Sequence, residues 1–245
     1  MLSAAWIIGV ALALQQTPSS ASTTPNPDRP ITHLLHNLSR DAKSLPSVRT
    51  LEVLGAGLLG TKLAERADTP LLDWTNRVGP SLTYTPIGAA IGNEWVQGGA
   101  ALATYTIGLV QHSPEIAHIG SDLIRAQVLN GVMTVGLKAG VGRTRPKGGT
   151  WSFPSGHSSA TFTSATILAE HYGWKVGVPA YAFAAFTGWT RVRDQQHWLS
   201  DVVFGSAIGI IAGHAVTIGH GPHSWSIMPA AAPGHGAAIY LVKTR

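Results

Sequence analysis

Three short segments of this chain hold the residues from which chemistry could be built. The first, Lys138-Ala-Gly-Val-Gly-Arg-Thr-Arg145-Pro146, has a helix running out into glycines and delivers two cations about two turns apart. The second, Phe153-Pro154-Ser155-Gly156-His157-Ser158-Ser159-Ala160, sets Pro and Ser ahead of a helical run. Ser155 is then the N-cap, and Gly156 and His157 keep free backbone N–H groups, the setting in which a helix start attracts an anion. The third, Thr190-Arg191-x5-His197-x3-Asp201, spaces an imidazole and a carboxylate at i and i+4. On a helix these share one face; a carboxylate on a neighbouring turn is the other arrangement. Each segment alone has an ordinary structural explanation as a solvated basic loop, a turn into a helix, or a His–Asp pair that braces one. Together, Lys138, Arg145, Arg191, the Ser155–Gly156 helix start, His157, His197 and Asp201 fit the binding and transfer of a phosphate-like anion.

Composition narrows what can carry such a site. The 245 residues suffice for one domain with a sizeable core. Charged residues make up 12%, about half of the ~25% usual in soluble chains, which excludes a disordered tail protein and a coiled coil. With no cysteine there is no disulfide framework, zinc ribbon or thiol nucleophile. The net charge of +5 would suit a nucleic-acid binder if it formed a stripe. Instead Lys138, Arg143, Arg145, Lys147, Lys175, Arg191 and Arg193 gather around the three segments, which suits a small anion, and no nucleic-acid partner is expected.

The elements that must position these residues read as helices. Ile116, Ile119, Leu123 and Ile124 recur at helical spacing, with Ser113 as N-cap and Pro114-Glu115 as the first turn. Similar patterns predict helices at about 31–44, 48–66, 94–112, 156–172, 175–190 and 195–219. No strand–helix alternation appears, so the expected fold is all-α, a helical bundle, with a small C-terminal β-hairpin around Pro233-Gly234-His235-Gly236. Gly55-Ala56-Gly57-Leu58-Leu59-Gly60 matches a dinucleotide-binding fingerprint in letters only, and close packing through small residues explains it better. His220-Gly-Pro-His223 lacks a third metal ligand, and no metal-binding residues are assigned.

Residues 1–21 read as a signal peptide and leader, apolar from Leu2 to Leu14, although no Lys or Arg precedes the apolar run. Residues 22–30 follow as a flexible linker, 31–220 as the helical domain and 221–245 as a C-terminal extension. Export to a periplasmic or other extracytoplasmic, membrane-associated location is expected. The uncharged stretch Trp95–Pro114 is long enough to cross a bilayer, so an integral placement stays open. Asp122, Arg125, Gln127 and Asn130 within one helix argue for a soluble or peripheral domain.

At these residues the sequence resembles the type 2 phosphatidic acid phosphatase (PAP2) and vanadium haloperoxidase superfamily, whose signature is K-x6-RP, PSGH and SR-x5-H-x3-D. Lys138 to Pro146, Pro154 to His157, and Arg191, His197 and Asp201 match it, with Thr190 in place of the usual serine. The resemblance covers about residues 94–219. It implies a metal-independent phosphatase for phosphomonoesters, including lipid phosphates or diphosphates, inhibited by phosphate or vanadate and requiring no cofactor. It further implies His197 as nucleophile, Asp201 on its second ring nitrogen, His157 as general acid and then base, and Lys138, Arg145, Ser155, Gly156 and Arg191 as phosphate ligands. A vanadate-dependent haloperoxidase and a non-catalytic anion-binding protein are the alternatives.

Overall fold

The computed structural model describes residues 30–79, 85–217, 224–232 and 236–244. The leader and, apart from Pro30, the linker expected before the domain lie outside the described residues. Eight helices are described: α1 Pro30–Ser44, α2 Val48–Val78, α3 Thr85–Ile91, α4 Glu94–Val110, α5 Pro114–Val141, α6 Gly156–Tyr172, α7 Trp174–Arg193 and α8 Leu199–Thr217. Strands β1 (Ser224–Ala232) and β2 (Gly236–Thr244) pair antiparallel, from Ser224 opposite Thr244 to Ala232 opposite Gly236.

The all-α bundle expected from periodicity is what forms, and local capping explains several of its boundaries. Ser113 accepts from Ile116 N to start α5, and Gly142, left-handed at φ 59°, ends it. Ser47 and Asn93 cap α2 and α4 in the same way.

Two boundaries and one element differ from the sequence expectation. Helix α2 passes through Pro70 to Val78 rather than ending near residue 66. Long-range contacts hold this second half: Trp74 packs on Trp189 at 5.8 Å and lies under the Arg193 guanidinium at 5.0 Å. The short α3 is an additional element. Helix α8 begins at Leu199, not at 195, because Asp68 of α2 accepts from Ser200 N at 3.0 Å, and Asp201 accepts from Trp198 N at 2.9 Å. His197 therefore sits in the loop ahead of α8, while Asp201 is in its first turn.

Helix α8 is the central element, buried along most of its length and packed against α2, α5, α6 and α7. Its glycines allow the approach: a Cβ at Gly205 would lie 2.5 Å from Ser155 O, and one at Gly209 would lie 2.3 Å from Ser159 O. Gly57 of the fingerprint look-alike does the same for α2, where a Cβ would stand 2.5 Å from Ala207 Cβ. Among the described residues α8 is the one helix long and apolar enough to cross a membrane, and 72% of that stretch is buried inside the bundle. The outward faces of α2, α4, α5 and α7 nevertheless expose large apolar side chains, including Leu59, Leu102, Val110, Val132 and Val178.

Candidate active site

The close packing of α8 on α6 delivers all three sequence segments to one place. Helix α6 starts at Ser155, whose Oγ accepts from Ser158 N, while Ser155 N donates to Asp201 O at 3.0 Å. The end of α5 brings Lys138, the following loop brings Arg145, and the end of α7 brings Arg191. A cavity of about 800 Å³ lies between them, and its wall includes Lys138, Arg145, Gly156, His157, Arg191 and His197. Ser155 and Asp201, both fully buried, stand behind that wall rather than on it.

The cations are held in place by neutral and acidic partners. Lys138 Nζ donates to Trp151 O at 2.8 Å. Arg145 Nη1 donates to Gln196 Oε1 at 2.8 Å, and Arg191 Nη2 donates to Asp194 Oδ2 at 2.6 Å. Burial, helped by Arg145, brings the Lys138 ammonium down to about 8, against the opposing pull of Glu94 and Asp201. Burial also brings His157 down to about 4, with Arg191 and His197 adding to the effect and a hydrogen bond to the Ala89 backbone resisting it. Burial is the larger cause of both shifts; the neighbouring cations add to each, and an anion would offset that part.

His197 is held differently from the sequence expectation. Its Nδ1 lies 2.6 Å from Ser152 O and 3.8 Å from Asp201 Oδ2, so the direct acceptor is the Ser152 carbonyl. Asp201 Oδ2 accepts from Ser152 Oγ and from Trp198 N, and its Oδ1 accepts from Arg143 Nη1 at 2.7 Å. The carboxylate thus braces the segment that presents the acceptor and supplies a counter-charge nearby. Burial pushes Asp201 up, but its donors together hold it below the ordinary carboxylate range. Burial holds the His197 imidazole below its usual range, so the ring is neutral near pH 7. With Nδ1 donating to a carbonyl, Nε2 keeps its lone pair free.

Several contributors have roles that the sequence did not assign. Arg143, one of the clustered basic residues, is spent on Asp201, Ser200 and Asp68, and its guanidinium lies over the Trp198 ring at 5.4 Å. Ser152 precedes the second motif without belonging to it. Glu94, in the first turn of α4, reaches the start of α6 so closely that a Cβ on Gly156 would lie 1.9 Å from its Oε1. A side chain there would push the Glu94 carboxylate aside, and that carboxylate stands where the dipole of α6 favours negative charge. Thr190 turns its hydroxyl to Thr187 O at 2.7 Å and leaves Arg191 in the cavity wall.

Residues 120–225 match the family model of the PAP2 superfamily, and all three motifs fall inside that range. The matched stretch, 106 of the 245 residues, is similar to the PAP2 superfamily. Part of the chain is 38% identical over 97 residues to a lipid A 1-phosphatase of Porphyromonas gingivalis, covering 38% of this chain and 22% of that protein. Another match, 34% identical over 86 residues, is to a lipid A 4'-phosphatase of Helicobacter pylori and covers 35% of this chain and 43% of that protein. The chain thus spans under half the length of these curated relatives. The crystal structure of Aquifex aeolicus LpxE is similar in fold, with a TM-score of 0.51 at 22% identity, over 62% of this chain and 94% of that one.

Proposed function

We propose that this chain is a metal-independent phosphatase that hydrolyses lipid phosphates or diphosphates at a membrane surface through a phosphohistidine. The observation that carries the reading is the double character of the cavity. One end presents Lys138, Arg145, Arg191 and two imidazoles, while the wall continues along α4 and α5 through Trp95, Leu102, Ile124, Val128 and Val135. From Lys138 to Ile124 this wall runs about 21 Å along α5. A phosphate head in the cationic end and an acyl chain along the apolar wall use both halves, and the exposed apolar faces of the bundle suit a lipid surface. Phosphatase activity toward lipid A in the two named relatives supports the same substrate class.

The mechanism follows from these groups. Substrate phosphate sits among the three cations and the N–H groups at the start of α6, which offset charge on the equatorial oxygens as phosphoryl transfer proceeds. His197 Nε2 attacks phosphorus as the ester P–O bond breaks, and Nδ1–H, held by Ser152 O, stabilises the ring as it becomes positive. His157 gives a proton to the leaving oxygen. Its low pKa in the free protein rises once the phosphate charge offsets Arg191 and Lys138, and a monoanionic substrate can supply the proton. In the second step His157 takes a proton from water, the hydroxide attacks phosphorus, and the P–N bond breaks to release phosphate and restore His197. Among the described residues Glu94 is the one carboxylate on the cavity wall, beside Lys138, so the fixed cations fill the role of a metal.

The test is hydrolysis of 4-nitrophenyl phosphate and of a long-chain lipid phosphate in EDTA, with and without orthovanadate. Activity that survives EDTA, falls with vanadate and disappears in His197→Ala is expected, with lipid phosphate preferred. His157→Ala should lose about 10²–10⁴-fold on the alkyl substrate and much less on the nitrophenyl ester, whose leaving group needs no acid. Equal losses on both would reject the assignment of His157, and a metal requirement would reject the mechanism.

A further inference from the structure

At the opposite end of α5 and α6 lies a second cluster of polar side chains that the phosphatase reading does not use. His118 and Asp122 stand one turn apart on α5, and His171 reaches them from the last turn of α6. His171 Nε2 is 2.9 Å from Asp122 Oδ2, and His118 Nε2 is 3.5 Å from the same oxygen. All three potential ligand atoms lie within 4.8 Å of one another. Asp122 and Lys138 are about 24 Å apart along α5, so this cluster is separate from the cationic, phosphate-binding end of the cavity.

The surroundings prepare Asp122 Oδ2 for a cation. Its partner oxygen Oδ1 is bound by Arg125 Nη2, and Arg125 Nη1 binds Asp41 of α1. Two buried carboxylates share one guanidinium, which leaves negative charge directed at two imidazoles. Arg125 also fixes the plane of the carboxylate, as outer-shell partners do for ligating side chains. His171 lies at a helix C-terminus, where the dipole favours positive charge.

The geometry points to a divalent metal site formed by His118 Nε2, His171 Nε2 and Asp122 Oδ2, of the borderline class typified by Zn²⁺. Two imidazoles and a carboxylate are a donor set that zinc takes, with solvent as fourth ligand. With metal–ligand bonds of about 2.1 Å, a tetrahedral centre spaces its ligand atoms at about 3.4 Å. The two N–O separations of 2.9 and 3.5 Å bracket that spacing. The His118 and His171 rings meet edge to face at 5.4 Å, and His118, 27% exposed, can turn to close the remaining edge and gives the ion a path inward. A bound ion would tie α5 to α6 and, through Arg125 and Asp41, to α1, so it belongs to the stability of the fold rather than to catalysis.

The test uses full-length protein in detergent, stripped of metal with EDTA and freed of chelator, then titrated with zinc chloride and, separately, cobalt chloride. We expect one zinc per chain, a zinc-dependent rise in melting temperature, and visible ligand-field bands from the cobalt form. His118→Gln and His171→Gln should each weaken zinc binding about tenfold or more and remove the melting shift, with phosphate hydrolysis in EDTA unchanged. His118→Gln, at the more exposed ligand, decides the matter if His171→Gln fails to fold. A double variant His220→Gln/His223→Gln controls for the histidine pair near the C-terminus and should bind like the parent. Absence of stoichiometric zinc, binding unaffected by His118→Gln, or binding lost only in the double variant would each overturn the site.

Discussion

Lys138 should cost the fold stability in exchange for its place in the pocket, and Lys138→Met measures the exchange. The ammonium is 8% exposed, and burial with Arg145 lowers it from an ordinary 10.5 to about 8. That displacement corresponds to roughly 3 kcal/mol of stability missing at neutral pH. Methionine keeps the length, removes the charge and gives up the hydrogen bond to Trp151 O, worth about 1 kcal/mol because the exposed Trp151 can turn to water. The net expectation is a variant about 2 kcal/mol more stable at pH 7, a rise of roughly 4–8 °C in melting temperature for a chain of this size. The sign with pH is fixed as well. The folded state loses this proton first, so between pH 8 and 10.5 the unfolded chain binds more protons and parental stability rises. The advantage of the variant is therefore complete below pH 8, shrinks through that window and levels off above it. Thermal unfolding of both proteins across pH 7–11, beside phosphatase assays, checks this. A variant less stable than the parent at pH 7, or a difference that ignores pH, would refute the electrostatic account. A stable variant with undiminished activity would refute the role of the cation.

Further expectations rest on neighbouring contacts. On 4-nitrophenyl phosphate, whose leaving group needs no acid, kcat/KM should carry an alkaline limb near pH 8, where Lys138 loses its charge; in Lys138→Arg that limb should move beyond pH 10. Ser152→Ala removes the hydroxyl that ties the His197 acceptor segment to Asp201, and should lower kcat roughly 10- to 100-fold with KM nearly unchanged. An equal loss in KM would place Ser152 in binding instead. Gly205→Ala would drive a methyl toward Ser155 O, costing about 1–3 kcal/mol by denaturation and weakening phosphate inhibition as the α6 cap shifts. Unchanged inhibition would show that α8 does not set the position of that cap.

What could be read from the sequence was what short-range chemistry determines. Ser113 and Ser155 are legible as caps because the donors they satisfy lie within three residues. The three motifs are legible because their spacing survives any fold that unites them, and Lys138, Arg145, Gly156, His157, Arg191 and His197 do share one cavity wall. The rest depends on long-range partners. The start of α8 is fixed by Asp68, 132 positions before Ser200, so His197 and Asp201 read as helix neighbours when His197 belongs to a loop. Glu94 and Ser152 have no local pattern that marks them. The His118–Asp122–His171 cluster escaped because its third member lies 49 positions beyond Asp122. Helix α2 outlasts Pro70 through contacts of Trp74 and Asp68 with other helices, which no propensity encodes.

The central claim is that His197 Nε2 takes the phosphoryl group. The most direct measurement is single-turnover labelling with a ³²P-phosphate substrate in EDTA, quenched in alkali to preserve phosphohistidine and mapped by peptide. With labelled 4-nitrophenyl phosphate, whose leaving group needs no acid, the account predicts an acid-labile label on the peptide bearing His197, increased in His157→Ala, where the second step lacks its base, and absent in His197→Ala. Phosphate release with label on another residue, or turnover that persists in His197→Ala, would contradict it.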